Sequence, residues 1–265
     1  SNVLLEASGD TLSIRATDLD VEVLEQIPAL VEQAGATTAP AHMLHDIVRK
    51  LPDGAQASLI DDPASGRLEV RAGRSDFKLA TLPREDFPVM ASADYACDFE
   101  APAKVLRRLF DKAKFAISTE ETRYYLNGVY MHVAEGAEGK TLRCVATDGH
   151  RLARVDAPLP VGAESMPGVI VPRKTVGELN RLLSDDEAVI QVGVSETKVR
   201  FRANGVSLIS KVIDGSFPDY TRVIPQGNPK RMEVDAAEFA SAVDRVATVS
   251  SERSRAVKLA LSEDR

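Results

Sequence analysis

The sequence predicts an α+β protein of tandem duplicated strand-helix-three-strand units forming helix-lined, sheet-backed domains, and three observations predict it. Thr11-Leu-Ser-Ile-Arg-Ala-Thr-Asp18 recurs as Thr141-Leu-Arg-Cys-Val-Ala-Thr-Asp148, and Phe87-Pro88 recurs as Phe217-Pro218, both displaced by 130 residues. A constant offset held over so long a stretch marks a duplicated structural unit. Ala39-Pro40-Ala41 reappears as Ala101-Pro102-Ala103, and Val171-Pro172 opens a third segment in a related way. Each of these openings leads from a period-two pattern into a helical one.

The helices are justified by spacing. Met43, Leu44, Ile47, Val48 and Leu51 make the apolar stripe of the first, Val105, Leu106, Leu109, Phe110 and Ala113 that of the second, and Val176, Leu179, Leu182 and Leu183 that of the third. A looser fourth stripe, Phe239, Ala242, Val243 and Val246, follows Asp235, a residue type suited to capping a helix. The prolines are expected at first helical positions, where the missing amide hydrogen costs nothing. Between helices the alternation of Arg67-Leu-Glu-Val-Arg71 and Lys198-Val-Arg-Phe-Arg202 predicts strands with one wet face, turned at Pro63-Ala-Ser-Gly66 and Asn204-Gly205. About three strands fit after each helix, and two such units make a module of roughly 130 residues.

The domains expected are 1–92, 93–224 and the start of a third at 225–265. The first lacks the strand and helix that should precede Asn2-Val-Leu-Leu5, and the third stops early, so the chain is expected to belong to a longer protein of three modules. With 44% hydrophobic and 28% charged residues it has the composition of a soluble globular protein. No apolar run is long enough for a membrane span and no basic-then-apolar leader is seen, so a cytoplasmic protein with no membrane partner is expected. Cys97 and Cys144 have no metal-ligand spacing and are expected to be structural thiols.

The net charge of −7 argues against a nucleic-acid binder, but its distribution argues otherwise. The segments 40–51, 101–114 and 172–183 carry +1, +4 and +2, a sum of +7, leaving −14 elsewhere. If the helices share one side, the protein has a basic helical face and an acidic strand face, and a polyanion would be drawn to the first by a salt-sensitive, sequence-independent attraction.

Asp148-Gly149-His150-Arg151 is the most enzyme-like string, because a carboxylate can orient an imidazole base. No nucleophile signature or second metal-spaced histidine accompanies it, and a hairpin turn explains it as well. Val133-Ala-Glu-Gly136-Ala-Glu-Gly139-Lys140 lacks Walker spacing and falls in a hairpin loop, so no ATP site, no metal and no cofactor are expected. Tyr124 and Tyr125 are expected at a strand start, one on each face, the exposed one free to stack on nucleic acid.

Arg123-Tyr-Tyr-Leu-Asn-Gly128, Val145-Ala-Thr-Asp-Gly-His-Arg-Leu152, Val171-Pro-Arg-Lys174, Asp214-Gly-Ser-Phe-Pro-Asp-Tyr220 and Thr81-Leu-Pro-Arg-Glu-Asp-Phe-Pro88, in this order, resemble the bacterial sliding clamp family, the beta subunit of DNA polymerase III. The resemblance spans nearly the whole chain. It implies the DNA-clamp fold: a head-to-tail homodimeric ring of three-domain subunits around duplex DNA, helices inside and sheet outside. It implies a non-catalytic processivity factor whose partners are the polymerase III catalytic subunit, the clamp loader and other replication and repair proteins.

By the same resemblance Lys104, Arg107, Arg108, Arg123, Tyr124, Tyr125, Arg173 and Lys174 fall where the family meets DNA. Leu126, Thr147, Gly149, His150, Arg151, Leu152, Pro218, Arg222 and Val223 fall in the family's peptide-docking pocket, and Ile47, Arg74, Phe77 and Leu79 on the subunit contact of the first domain. Two other readings stand beside this one: a hydrolase using Asp148 and His150, and a repeat-built peptide-binding adaptor that never binds DNA.

Overall fold

The computed structural model describes residues 2–91, 93–136, 139–249 and 256–261. The chain forms two compact units, Ser1–Phe217 and Pro218–Arg265. The larger begins with β1 (Asn2–Ser8), β2 (Thr11–Thr17), β3 (Val21–Pro28), β4 (Gly35–Pro40), α1 (Ala41–Val48), β5 (Ala57–Asp62), β6 (Arg67–Ala72) and β7 (Ser75–Ala80). It continues with β8 (Cys97–Pro102), α2 (Ala103–Ala113), β9 (Gly128–Gly136), β10 (Gly139–Thr147), β11 (Leu152–Pro158), β12 (Val169–Pro172), α3 (Arg173–Leu182), β13 (Val189–Val194), β14 (Lys198–Ala203) and β15 (Val206–Lys211). The predicted order of one strand, one helix and three strands is met three times, after a set of three strands at the start.

Half-units are interlocked by exchange of strands. β8, which leads into α2, pairs with β13, which follows α3; β12, which leads into α3, pairs with β9, which follows α2. Neither half can form its sheet without the other. The resulting sheets are ordered β4-β1-β2-β3-β15-β14-β13-β8, β11-β10-β9-β12 and β5-β6-β7. The eight-stranded sheet crosses from one module into the next through Val21–Glu25 of β3 against Val206–Ser210 of β15. Junctions are thus made by third strands of half-units, and β7 and β11 are the third strands with a free edge among the described residues.

Helical spacing decides the core. Leu106, Leu109, Phe110 and Ala113 of α2 and Val176 and Leu179 of α3 are fully or almost fully buried, with Phe110 edge-on to Phe201 of β14 at 6.1 Å. Leu183, just past α3, joins them, while Val105 and Leu182 pack from the margin. A buried polar contact enters this core: the Thr175 and Ser210 hydroxyls lie 2.6 Å apart, and Ser210 Oγ donates in turn to the Lys211 carbonyl at 2.7 Å. α1 behaves differently. Ala41, Leu44 and Ile47 pack against the smaller core of Val3, Leu5, Ala39, Leu68, Val70 and Leu79; Met43 and Val48 are half exposed, and Leu51 lies beyond the helix.

The placement of the prolines is corrected. Pro40, Pro102 and Pro172 stand one residue before their helices, with φ near −60° but extended ψ of 113°, 136° and 148°. The ring therefore closes a strand and sits at the cap, where a missing amide hydrogen is equally free of cost. The hairpin turn predicted between Val133 and Lys140 joins β9 to β10, with residues 137–138 outside the described set. Asn204 and Gly205, both at positive φ, turn β14 into β15 as the sequence predicts.

In the smaller unit, α4 (Ala236–Ala247) is capped by Asp235, whose Oδ1 accepts from the amides of Ala237 and Glu238 at 2.9 Å each. No described helix is long and apolar enough to cross a membrane. Truncation of Leu109, fully buried at the α2 contact, is expected to cost about 2–5 kcal/mol. Urea denaturation of Leu109→Ala checks this; Val48→Ala, on the half-exposed side of α1, should lose far less.

Candidate nucleic-acid interface and docking turn

α2 and α3 lie side by side. The Asn180 amide of α3, oriented by its partners, donates to Asp111 Oδ1 at 3.2 Å and accepts from Lys114 Nζ at 3.0 Å, and Arg107 of α2 donates to the Leu183 carbonyl at 3.2 Å. Their apolar stripes share one core, so their polar faces are turned outward from it together. Lys104, Arg108, Lys112, Lys114, Arg173, Lys174 and Arg181 are exposed on these faces and the residue that follows α2. The cations are unequal. Arg107 pairs with Asp186 and Lys174 with Asp18, while Arg108 donates to the Asp156 carbonyl at 3.0 Å; Lys104 and Arg173 have no side-chain partner among the described residues.

The enzyme-like string is a turn with complete internal bonding. Asp148 Oδ1 accepts from the amides of His150 and Arg151 at 2.9 and 3.0 Å, and Oδ2 accepts from Arg151 Nε at 2.9 Å. These amides and this guanidinium hold the Asp148 carboxyl well below the usual carboxylate range. Its oxygens are engaged by the turn amides and by Arg151 rather than by an imidazole. Thr147 Oγ1 donates to the Arg151 carbonyl and accepts from Gly149 N, and β11 starts at Leu152. Gly149 has φ +89°, a region glycine enters without cost, and a Cβ there would meet Arg123 Nη1 at 2.6 Å, so a larger residue would have to displace that guanidinium.

The same hydrogen bonds recur 130 residues earlier. Asp18 Oδ1 accepts from the amides of Asp20 and Val21, and Thr17 Oγ1 donates to the Val21 carbonyl and accepts from Leu19 N. Leu19 takes φ +80° where the copy has glycine. Duplication is therefore conserved in bond geometry even where the side chains differ, and the chemistry of each copy resides in what projects from an identical frame.

The tyrosines correct a prediction. Tyr124 and Tyr125 lie in a 3₁₀ segment, Glu121–Leu126, before β9 begins, so strand alternation does not apply to them. Their rings meet edge to face at 5.8 Å; Tyr124 is 55% exposed and Tyr125 half-buried. Gly215 comes so close that a Cβ there would be 3.1 Å from Tyr125 Cβ, and Phe217 stacks on Tyr130 at 4.9 Å. The Asp214-Gly-Ser-Phe segment is thus laid against an aromatic row. Sequence reasoning missed that role, although the compulsory glycine and aromatic were in the motif. Arg123 is engaged internally, with Glu120 at 2.7 Å and the Asp148 carbonyl at 3.2 Å.

Of the docking residues in the larger unit, Leu126 is buried, Thr147 and Leu152 are half-buried, and Gly149, His150 and Arg151 are exposed. In the smaller unit Pro218 and Arg222 are exposed, Val223 is 69% exposed, and Asp219 caps the 3₁₀ turn Tyr220–Val223 through the Thr221 amide. On the first module, Ile47, Arg74 and Phe77 line a cleft with Met43 and Leu51 beside the free edge of β7. Leu79 does not: 2% exposed, it belongs to the core under that edge, on the same inward face of β7 as Phe77, with Lys78 between them turned outward.

Duplicated modules that interlock by strand exchange and carry paired cationic helices are the architecture of the clamp class. The comparisons name it. Models of the DNA polymerase III beta subunit match in chain order: the N-terminal domain at 1–91, the central domain at 100–219 and the C-terminal domain at 221–265. The Caulobacter vibrioides beta sliding clamp is 55% identical over 269 residues, all of this chain and 71% of that protein. The Escherichia coli beta sliding clamp is 39% identical over 267 residues, 99% and 70% of the two chains. A solved Caulobacter crescentus pol III beta superposes at a TM-score of 0.89 with 52% identity, over 95% of this chain and 68% of that one. A Bartonella birtlesii DnaN sliding clamp bound to griselimycin does so at 0.89 and 49%, over 96% and 68%.

The chain belongs to the beta sliding clamp family, the beta subunits of DNA polymerase III. It is a processivity factor, a non-catalytic replication protein, and neither the hydrolase nor the DNA-free adaptor is favoured.

The depressed carboxyls make a pH prediction. Asp18, bonded to Lys174 and to turn amides, is lowered to about 2, and Asp148 is lowered as well. Folded values below unfolded ones mean that their stabilisation is complete above the ordinary carboxylate pKa of about 4 and is lost as pH falls through the folded values. Urea midpoints recorded from about pH 5 to about pH 2 should fall more steeply for the native protein than for Asp18→Asn/Asp148→Asn, which starts lower at neutral pH.

Proposed function

We propose that the protein acts as a head-to-tail homodimeric ring around duplex DNA, with α2 and α3 on the inner wall. The observation that carries this reading is the side-by-side placement of the two cationic helices on one core. Such a wall touches phosphates and reads no bases, so retention comes from enclosure. Lys104, Arg107, Arg108, Arg173 and Lys174 are the wall cations, with Tyr124 and Tyr125 at its margin and Arg123 supporting the docking turn. The domains run 1–92, 93–224 and from 225 onward. The free edge of β11 suits a following module, and that of β7, with Ile47, Arg74 and Phe77 beside it, suits the partner subunit, each by the third-strand pairing seen at β3 and β15.

We further infer that Leu126, Thr147, Gly149, His150, Arg151 and Leu152 of the larger unit receive short linear segments of the polymerase III catalytic subunit, the clamp loader and other replication and repair proteins in the cytoplasm, and that Pro218, Arg222 and Val223 of the smaller unit do so as well. A partly buried leucine next to exposed cations suits an apolar anchor followed by an acidic or polar flank. Leu152→Ala and Arg222→Ala are each expected to weaken a polymerase-derived peptide roughly 5- to 30-fold with circular dichroism unchanged; unaltered affinity in both overturns the pocket.

Enclosure is tested by loading the protein on nicked circular duplex. Native protein should stay bound through gel filtration and be lost once the circle is cut, whereas retention on the linear form overturns the ring.

A further inference from the structure

Around the α2–α3 pair the cations alternate with carboxylates supplied by other parts of the chain. Lys174, in the first turn of α3, bonds Asp18 from the β2–β3 turn of the preceding module. Arg107 of α2 bonds Asp186, beyond the end of α3, and Lys114 bonds Asp111 one turn earlier at 2.6 Å, where Asn180 joins both. All three cations keep outward surface: their side chains are 59%, 31% and 43% exposed. They are neither buried structural pairs nor free charges.

We propose that Asp18, Asp111 and Asp186 are built-in counterions of the DNA-facing wall, holding Lys174, Lys114 and Arg107 within reach of phosphate while competing with it. The proposal rests on the reading that α2 and α3 face DNA. A phosphate that meets an unpaired cation releases condensed ions and binds with the full salt-dependent gain; one that meets a paired cation must first displace a carboxylate, which returns part of that gain. An exposed pair is weak, so the exchange is easy in either direction and a phosphate can be passed along the wall. Lys104 and Arg173, without side-chain partners among the described residues, supply the steady attraction, and the paired cations supply a grip set below the formal charge. A wall that must hold a duplex and also move along it needs both.

The test compares binding of this chain to a duplex oligonucleotide across a salt series by fluorescence anisotropy. Asparagine retains an oxygen for the turn amides of Asp18 and removes the charge, so Asp18→Asn/Asp111→Asn/Asp186→Asn is the variant of choice. Binding should tighten by roughly 1.5- to 5-fold per pair released, and the log–log salt slope should steepen by about 0.9 per freed cation. Glu100→Gln/Glu196→Gln/Asp76→Asn changes net charge equally on strands and turns; a triple variant no different from native, or from this control, overturns the proposal. If the triple variant melts early, Asp186→Asn alone, whose ion pair among the described residues is with the partly exposed Arg107, must still steepen the slope. Lys104→Ala/Arg173→Ala separates the two readings: unchanged binding there sinks the DNA-facing wall itself, while weakened binding with an inert triple variant sinks the counterions alone.

Discussion

The structure depends on one constraint: a strand-helix-three-strand unit cannot cover the apolar stripe of its own helix or complete its own sheet. α2 buries Leu106, Leu109, Phe110 and Ala113 only because the half-unit after α3 contributes Phe201 and its neighbours to the same core. Exchange of β8 and β12 makes the dependence mutual. Duplication is thus a requirement of burial, and the pairing that closes a module also brings its two helices together.

The charge pattern follows from the same geometry. Sheets take the strands' alternation, helices take the 3.6-residue period, and the faces left over are the outer side of the sheets and the outer side of the helix pair. Cations concentrated in the helical segments therefore arrive on one surface although the chain as a whole is acidic. The internal carboxylates show that a count of lysines and arginines overstates the charge available to a polyanion, since Arg107, Lys114 and Lys174 each have an intramolecular partner.

The turns make a second point about duplicated proteins. Thr17-Asp18 and Thr147-Asp148 build the same hydrogen-bonded frame, but Leu19 and Asp20 stand where the copy has Gly149 and His150. In the later copy glycine admits the Arg123 guanidinium and the carboxylate is turned to Arg151; in the earlier one the carboxylate reaches Lys174. One frame thus holds its carboxylate to a local arginine in one module and to a lysine of the next module in the other. A string that resembles an acid-base pair is a structural element first, because its carboxylate is consumed by amides.

By itself the sequence determined the unit, its repetition, the start of each helix to within one residue, and the buried stripes of α2 and α3, because these rest on periodicity and on proline and glycine chemistry, which are local. It also held the family motifs, in order, that mark a sliding clamp. Tertiary structure alone decided the strand exchange, the burial of Leu79, the 3₁₀ setting of Tyr124 and Tyr125 under Gly215, and the pairing of Lys174 with Asp18, 156 positions away. Those depend on which segments meet across the fold, and a contact between residues far apart in the chain leaves no period for a local pattern to record.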